Sequence, residues 1–130
     1  MNRIALLSGL ALGLCALVLM AVPQEIFFSK DVKPILKKEC VDCHGTKHAK
    51  ADLDLSEDNA LKNLLNVPSD EVPGIVRVKP GDPEQSYLWL KLDHRAQKGG
   101  GMPKGFLFSK SLPQDQLDLI KAWIAGGAKE

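Results

Sequence analysis

The stretch Cys40-Val41-Asp42-Cys43-His44 decides how the whole chain is read. Two thiols stand three positions apart and a histidine directly follows the second, the spacing at which a c-type haem is attached. The chemistry explains the pattern. Each thiol adds to one vinyl group of the porphyrin, and a two-residue gap lets one turn of backbone span that edge. The histidine then lies beneath the iron, where its imidazole serves as the proximal ligand. A tethered haem cannot dissociate, so even a small domain with a modest core can hold it.

Two other uses of such a cysteine pair compete with this reading. A redox dithiol of thioredoxin type belongs in a βαβ pattern, which the flanking residues lack. A closed zinc site needs four ligands. Beyond the N-terminal stretch the chain offers Cys40, Cys43, His44, His48 and His94. A set of two Cys and two His is arithmetically available, but no His-X-X-X-His spacing supports it.

The chain has 130 residues, enough for one small domain over residues 23–130 once the N-terminus is set aside. From Ile4 to Val22 every residue is apolar or small except Ser8, and Arg3 supplies a positive flank. Residues 1–22 read as a signal peptide or an N-terminal membrane anchor. The run exceeds the roughly 7–15 residues of a usual signal core and approaches the roughly 20 needed to span a bilayer. A cleavage point near Met20-Ala21-Val22 is weakened by Leu19, and Leu14 is too bulky for a lipoprotein signal at Cys15. Either reading places the rest of the chain outside the cytoplasmic membrane, in the periplasm, the side on which bacteria attach haem covalently. The net charge of +1 gives no basis for nucleic-acid binding.

The patterns that follow are mostly helical. Phe28, Val32, Ile35 and Leu36 predict a first helix over Ile26–Glu39, with Ser29 as cap and Pro34 moving the true start towards Asp31. Leu53 and Leu55 alternate with aspartates, which suggests a short extended segment. Ser56 opens a brief helix carrying Leu61, Leu64 and Leu65 on one face. Ile75, Val76 and Val78 read as a short strand or as packed loop. Pro80-Gly81-Asp82-Pro83 is a turn, a cap and a first helical proline, so a helix is expected from Pro83 to about Asp93. Phe106, Leu107 and Phe108 form an apolar cluster. Ser111-Leu112-Pro113-Gln114 reads as a capping box, and Leu117, Ile120, Trp123 and Ile124 form the stripe of a last helix that Gly126-Gly127 ends.

The open axial position of the iron has two candidates, Met102 and His94. Met102 follows Gly99-Gly100-Gly101 and precedes Pro103, a poor setting for core packing. Its thioether would favour ferrous iron and raise the potential. The competing reading makes it a core gap-filler. His94, among Lys91, Asp93 and Arg95 at a helix end, reads as solvent-facing, and His48 as a surface histidine.

These residues resemble a known family. Phe28-Ser29-Lys30-Asp31-Val32-Lys33-Pro34-Ile35-Leu36, Cys40 to Gly45, Lys79-Pro80-Gly81-Asp82-Pro83-Glu84-Gln85-Ser86-Tyr87-Leu88, Met102-Pro103 and Trp123 to Ala128 are similar to class I c-type cytochromes. The likeness is greatest to the planctomycete-type cytochrome c-like domain. The resemblance implies an all-α small cytochrome c fold with its first and last helices packed near one covalently bound haem c. It implies thioether links at Cys40 and Cys43, His44 as proximal ligand and Met102 as distal ligand. Many such domains are fused to larger regions, which leaves open whether the partner is covalent, docked or diffusing.

The preferred reading is a mono-haem electron carrier acting between redox proteins. Lys33, Lys37, Lys38, Lys47 and Lys50 flank the motif. They either ring the haem edge and steer an acidic partner, or are ordinary solvated lysines. The alternatives are a ligand-binding sensor or oxidoreductase subunit with an open sixth site, and a zinc or dithiol module. No nucleophile–base pair or carboxylate dyad points to catalysis by the protein itself.

Overall fold

The computed structural model describes residues 24–105, 107 and 110–130. The expectations for residues 1–22, and for Phe106 and Phe108 in the apolar cluster, lie outside the described residues. Leu107 is largely exposed.

The chain enters through a single π-type turn, Phe28–Val32, that runs into α1, Lys33–Glu39. Pro34 explains the two-part helix. It has no N–H to continue the ladder of the first turn, but it is tolerated at the start of a new helix. The expected Ser29 cap does not form. Instead the Asp31 carboxylate accepts the Phe27 N–H at 2.9 Å. A two-stranded antiparallel ladder follows, β1 (His44–Gly45) against β2 (His48–Ala49), with His44 opposite Ala49. A 3-10 turn over Lys50–Asp52 leads to the extended Leu53–Leu55.

Helix α2 spans Ala60–Leu64, later than the Ser56 start expected. Asp54 is the reason. Its side chain accepts from the Ser56 N–H (2.9 Å) and from Asn59 Nδ2 (2.6 Å), which favours a local turn over a helix start. Ile75–Val78 is extended and bonded on both sides. Val78 N–H donates to the Leu64 carbonyl and Arg77 N–H to that of Val67, while Tyr87 and Leu88 N–H groups donate to the carbonyls of Val76 and Arg77.

The helix expected over Pro83–Asp93 is split into a 3-10 turn, Pro83–Gln85, and α3, Tyr87–Leu92. Asp82 does cap, accepting from the Gln85 N–H at 3.2 Å, and Gly81 turns the chain at φ 85°. The break falls on Ser86, which is fully buried and extended. Its hydroxyl accepts from the Lys79 N–H and donates to the Asp82 carbonyl, both at 2.8 Å. A mid-helix position would forfeit these bonds.

The last helix, α4, spans Gln114–Ala125 with Pro113 at its cap position and no side-chain cap, so the capping box is not formed. The apolar stripe is as expected: Leu117, Ile120, Trp123 and Ile124 are all buried. Trp123 packs on Phe28 with ring centroids 5.5 Å apart. Its Nε1–H and the Phe28 N–H both donate to the Lys129 carbonyl at 2.8 Å. The two ends of the domain are thus joined by the entry turn and α4.

The all-α expectation is therefore corrected: the fold is small and mixed. Its helices are short, a two-stranded sheet follows the cysteine motif, and isolated bridges tie 65–68 to 76–78 and Val76 to Ser86. Pro68, Pro73, Gly74, Pro80 and Gly81 keep the middle of the chain from coiling. Its backbone groups pair across segments instead. Among the described residues no helix is long and apolar enough to cross a membrane.

Ser86→Ala tests the break. It removes a fully buried hydroxyl that bonds both the Lys79 N–H and the Asp82 carbonyl, so a loss of about 1–3 kcal/mol is expected in urea unfolding.

Candidate functional site

The motif residues lie where α1 ends. Cys40 caps that helix, its N–H bonded to the Leu36 carbonyl at 2.9 Å. Its own carbonyl accepts from the N–H groups of Cys43 (3.1 Å) and His44 (2.9 Å), so the five residues wrap around one oxygen. Cys40 is half-buried and Cys43 exposed. Gly45 is needed at the exit. A Cβ there would lie 2.6 Å from the Val41 carbonyl oxygen, a backbone atom that cannot move aside cheaply.

The His44 ring lies 2.9 Å through Nδ1 from the Lys50 carbonyl. A carbonyl only accepts, so Nδ1 carries the proton and the lone pair belongs to Nε2. Burial holds this imidazole below its ordinary pKa against the pull of the Lys50 and Leu53 carbonyls, and the nearby Lys50 and Arg77 charges act with burial. A neutral imidazole with one oriented lone pair is what a metal centre requires.

Cys40, Cys43, His44 and Met102 border one cleft. Its apolar walls come from Leu53, Leu55, Leu64, Leu88 and Leu92, brought together from the extended segment, α2 and α3. Met102 comes in on the glycine run, its N–H held by the Lys91 carbonyl at 2.9 Å. Gly101 is required here because a Cβ would lie 2.5 Å from His94 Cγ.

His94 and His48 do not join the set. Both are exposed and neither lines the cleft, so a zinc site of two Cys and two His is not assembled. The dithiol alternative meets a different obstacle. Burial, with the Glu39 carboxylate and Cys43 adding to it, pushes the Cys40 thiol up to about 12, whereas thiol exchange needs a depressed pKa.

The polar groups of the cleft escape a reading of the sequence. Arg77 is buried and lines it. Its guanidinium donates to the carbonyls of Asn63 (3.1 Å), Ala51 and Asp52 (both 3.2 Å) and to Asp70 Oδ2 (2.6 Å). Lys91 is buried on α3 and paired with Glu71, whose other contact is the Tyr87 hydroxyl at 2.9 Å. A lone arginine inside Ile75-Val76-Arg77-Val78 and a lone lysine inside Tyr87-Leu88-Trp89-Leu90-Lys91-Leu92 are the signals that could have found them.

The donor set fits a haem: two thiols at vinyl spacing, an oriented imidazole and a thioether, all facing one apolar cleft. The family model described as Planctomycete cytochrome C matches residues 40–105. The chain belongs to this family. It is a haem-binding cytochrome domain, and the match runs from the first motif cysteine past Met102. No curated protein and no solved structure matches it. Of the lysines flanking the cytochrome's motif, Lys37 pairs with Glu57, Lys38 pairs with Glu39 and Lys50 borders the cleft; Lys104, far from the motif in sequence, borders it too.

Two outcomes follow. Gly45→Ala forces the Val41 carbonyl aside and should cost about 1–3 kcal/mol in denaturant unfolding, as overpacking does. Glu71 bears on acid stability. Burial raises its pKa, but the Lys91 ammonium and Tyr87 hydroxyl outweigh that and hold the carboxyl below its usual value. Its contribution is complete above the unfolded value of about 4.3 and fades as pH falls through the lower folded value. Glu71→Gln should therefore flatten the acid limb of a stability–pH curve measured by urea unfolding.

Proposed function

We propose that this cytochrome carries one haem c, joined through Cys40 and Cys43, and passes single electrons between redox proteins in the periplasm. The observation that carries the reading is the convergence of Cys40, Cys43, His44 and Met102 on one apolar cleft. The haem supplies a one-electron couple, which a thioether ligand shifts towards the ferrous form. The protein's own part is to hold that couple in place. His44 offers Nε2 because the Lys50 carbonyl holds its Nδ1 proton. Met102, from a second chain segment on the same cleft, would supply a further ligand to the iron. The leucine walls exclude water and lower the local polarity.

An electron carrier needs a partner to reach the cofactor edge, and the exposed Cys43 side of the cleft supports such an approach. Lys50 and Lys104 at the cleft border suit an acidic redox partner. A carrier of this kind needs no catalytic group of its own. The N-terminal stretch either exports the domain or anchors it to the cytoplasmic membrane.

The test is to mature the protein with haem, reduce it and expose it to carbon monoxide. The absorption spectrum should stay unchanged in the wild type and shift in Met102→Ala. Immediate binding by the wild type would replace the carrier by a domain with an open iron, suited to ligand sensing or to an oxidoreductase. Acidified organic solvent should leave the haem attached, and release it once Cys40 and Cys43 are both replaced by alanine.

A further inference from the structure

Gly99-Gly100-Gly101 precedes Met102, and glycine leaves a chain more conformational freedom than any other residue. Gly99 and Gly100 use that freedom, with φ of 69° and 67°. A ligand delivered by such a run is held only as firmly as something outside the run holds it. Lys91 does so from both ends. Its buried ammonium donates to the Lys98 carbonyl at 2.7 Å, before the glycines, and its own carbonyl accepts the Met102 N–H at 2.9 Å, after them.

The ammonium is itself fixed. It is ion-paired with Glu71 and lies 5.1 Å from the centre of the Tyr87 ring. The Tyr87 hydroxyl bridges the same elements, with Glu71 Oε2 at 2.9 Å and the Lys98 carbonyl at 3.0 Å as alternative acceptors for its one proton. Gly99 is pressed onto this cluster. A Cβ there would collide with Glu71 Oε1 and lie 2.5 Å from Lys91 Nζ, which belong to two side chains already paired with each other. Glu71, Tyr87, Lys91 and Met102 all border the cleft.

We propose that Lys91, braced by Glu71 and Tyr87, is a positioning residue that clamps the glycine run and sets how firmly Met102 holds the sixth axial site. The inference rests on the reading that Met102 is an axial ligand. It extends that reading by naming what decides between a closed and an open iron. A buried cation engaged on several sides opens only when those contacts break together, so the loop is ordered although its sequence is not stiff.

The experiment uses the haem-loaded protein and compares wild type with Lys91→Met, Glu71→Gln and Tyr87→Phe. Lys79→Met, which removes an exposed ion pair with Asp82, is the control. Two quantities are read: the rate of carbon monoxide binding to the reduced protein, and amide hydrogen exchange at residues 99–102. Lys91→Met should raise both by about tenfold or more, with smaller increases in the other two and none in the control. Tyr87→Phe keeps the ring and loses only the hydroxyl, so it serves if Lys91→Met does not fold. Unchanged rates and exchange in the clamp variants would overturn the inference and leave Met102 ligation standing. Faster exchange without faster carbon monoxide binding would also overturn it. Immediate binding by the wild type would instead remove the ligation reading, and this inference with it.

Discussion

The hydrogen bond between His44 Nδ1 and the Lys50 carbonyl orients the group on which the cleft depends. It is short in sequence, six residues apart, and needs the chain to double back at once. The ladder of β1 and β2 does this, with the turn between Gly45 and His48. The return strand then delivers Lys50, and the Leu55 N–H closes the loop on the His44 carbonyl at 2.6 Å. The His44 imidazole is therefore set by backbone groups, which are less easily displaced than side-chain partners.

That loop is supported from behind by a buried charge. Ala51 and Asp52 adopt positive φ values of 55° and 48°, unusual for residues with a Cβ. Their carbonyls both accept from Arg77. A guanidinium presents several donors in a rigid fork, and burying it requires that they be used. Arg77 meets that need with the carbonyls beside Lys50 and with Asp70. The strained turn and the buried cation thus stabilise one another, and together they hold the carbonyl that orients His44. Lys91 plays a matching part where it engages the segment that carries Met102. Each axial candidate has a buried cation behind it.

Short-range patterns are legible in the amino-acid order alone. The cysteine motif and its histidine are contiguous, so their chemistry does not depend on where the rest of the chain goes. The stripe of α4 is equally local, because four apolar residues at helical spacing must share a face. The Pro80-Gly81 turn and the Asp82 cap follow from residue types that tolerate little else. Met102 stands out because glycine surroundings make a poor core. In each case the reason lies within a few residues of the conclusion.

What the amino-acid order could not determine is set by distant partners. Ser86 breaks a helix because the Lys79 N–H needs its hydroxyl, and the all-α expectation fails because proline-rich middle segments pair with one another across the fold. Arg77 and Lys91 look like single charges in apolar runs until folding surrounds them with carbonyls and carboxylates. Gly99 and Gly101 read as flexibility in the sequence, yet each is a point of close approach, to an ion pair and to the His94 ring. The chain by itself determined which atoms can attach and ligate a haem. Tertiary structure decided that they meet in one cleft and what holds them there, because a buried charge or a tight contact has its reason only in the groups around it.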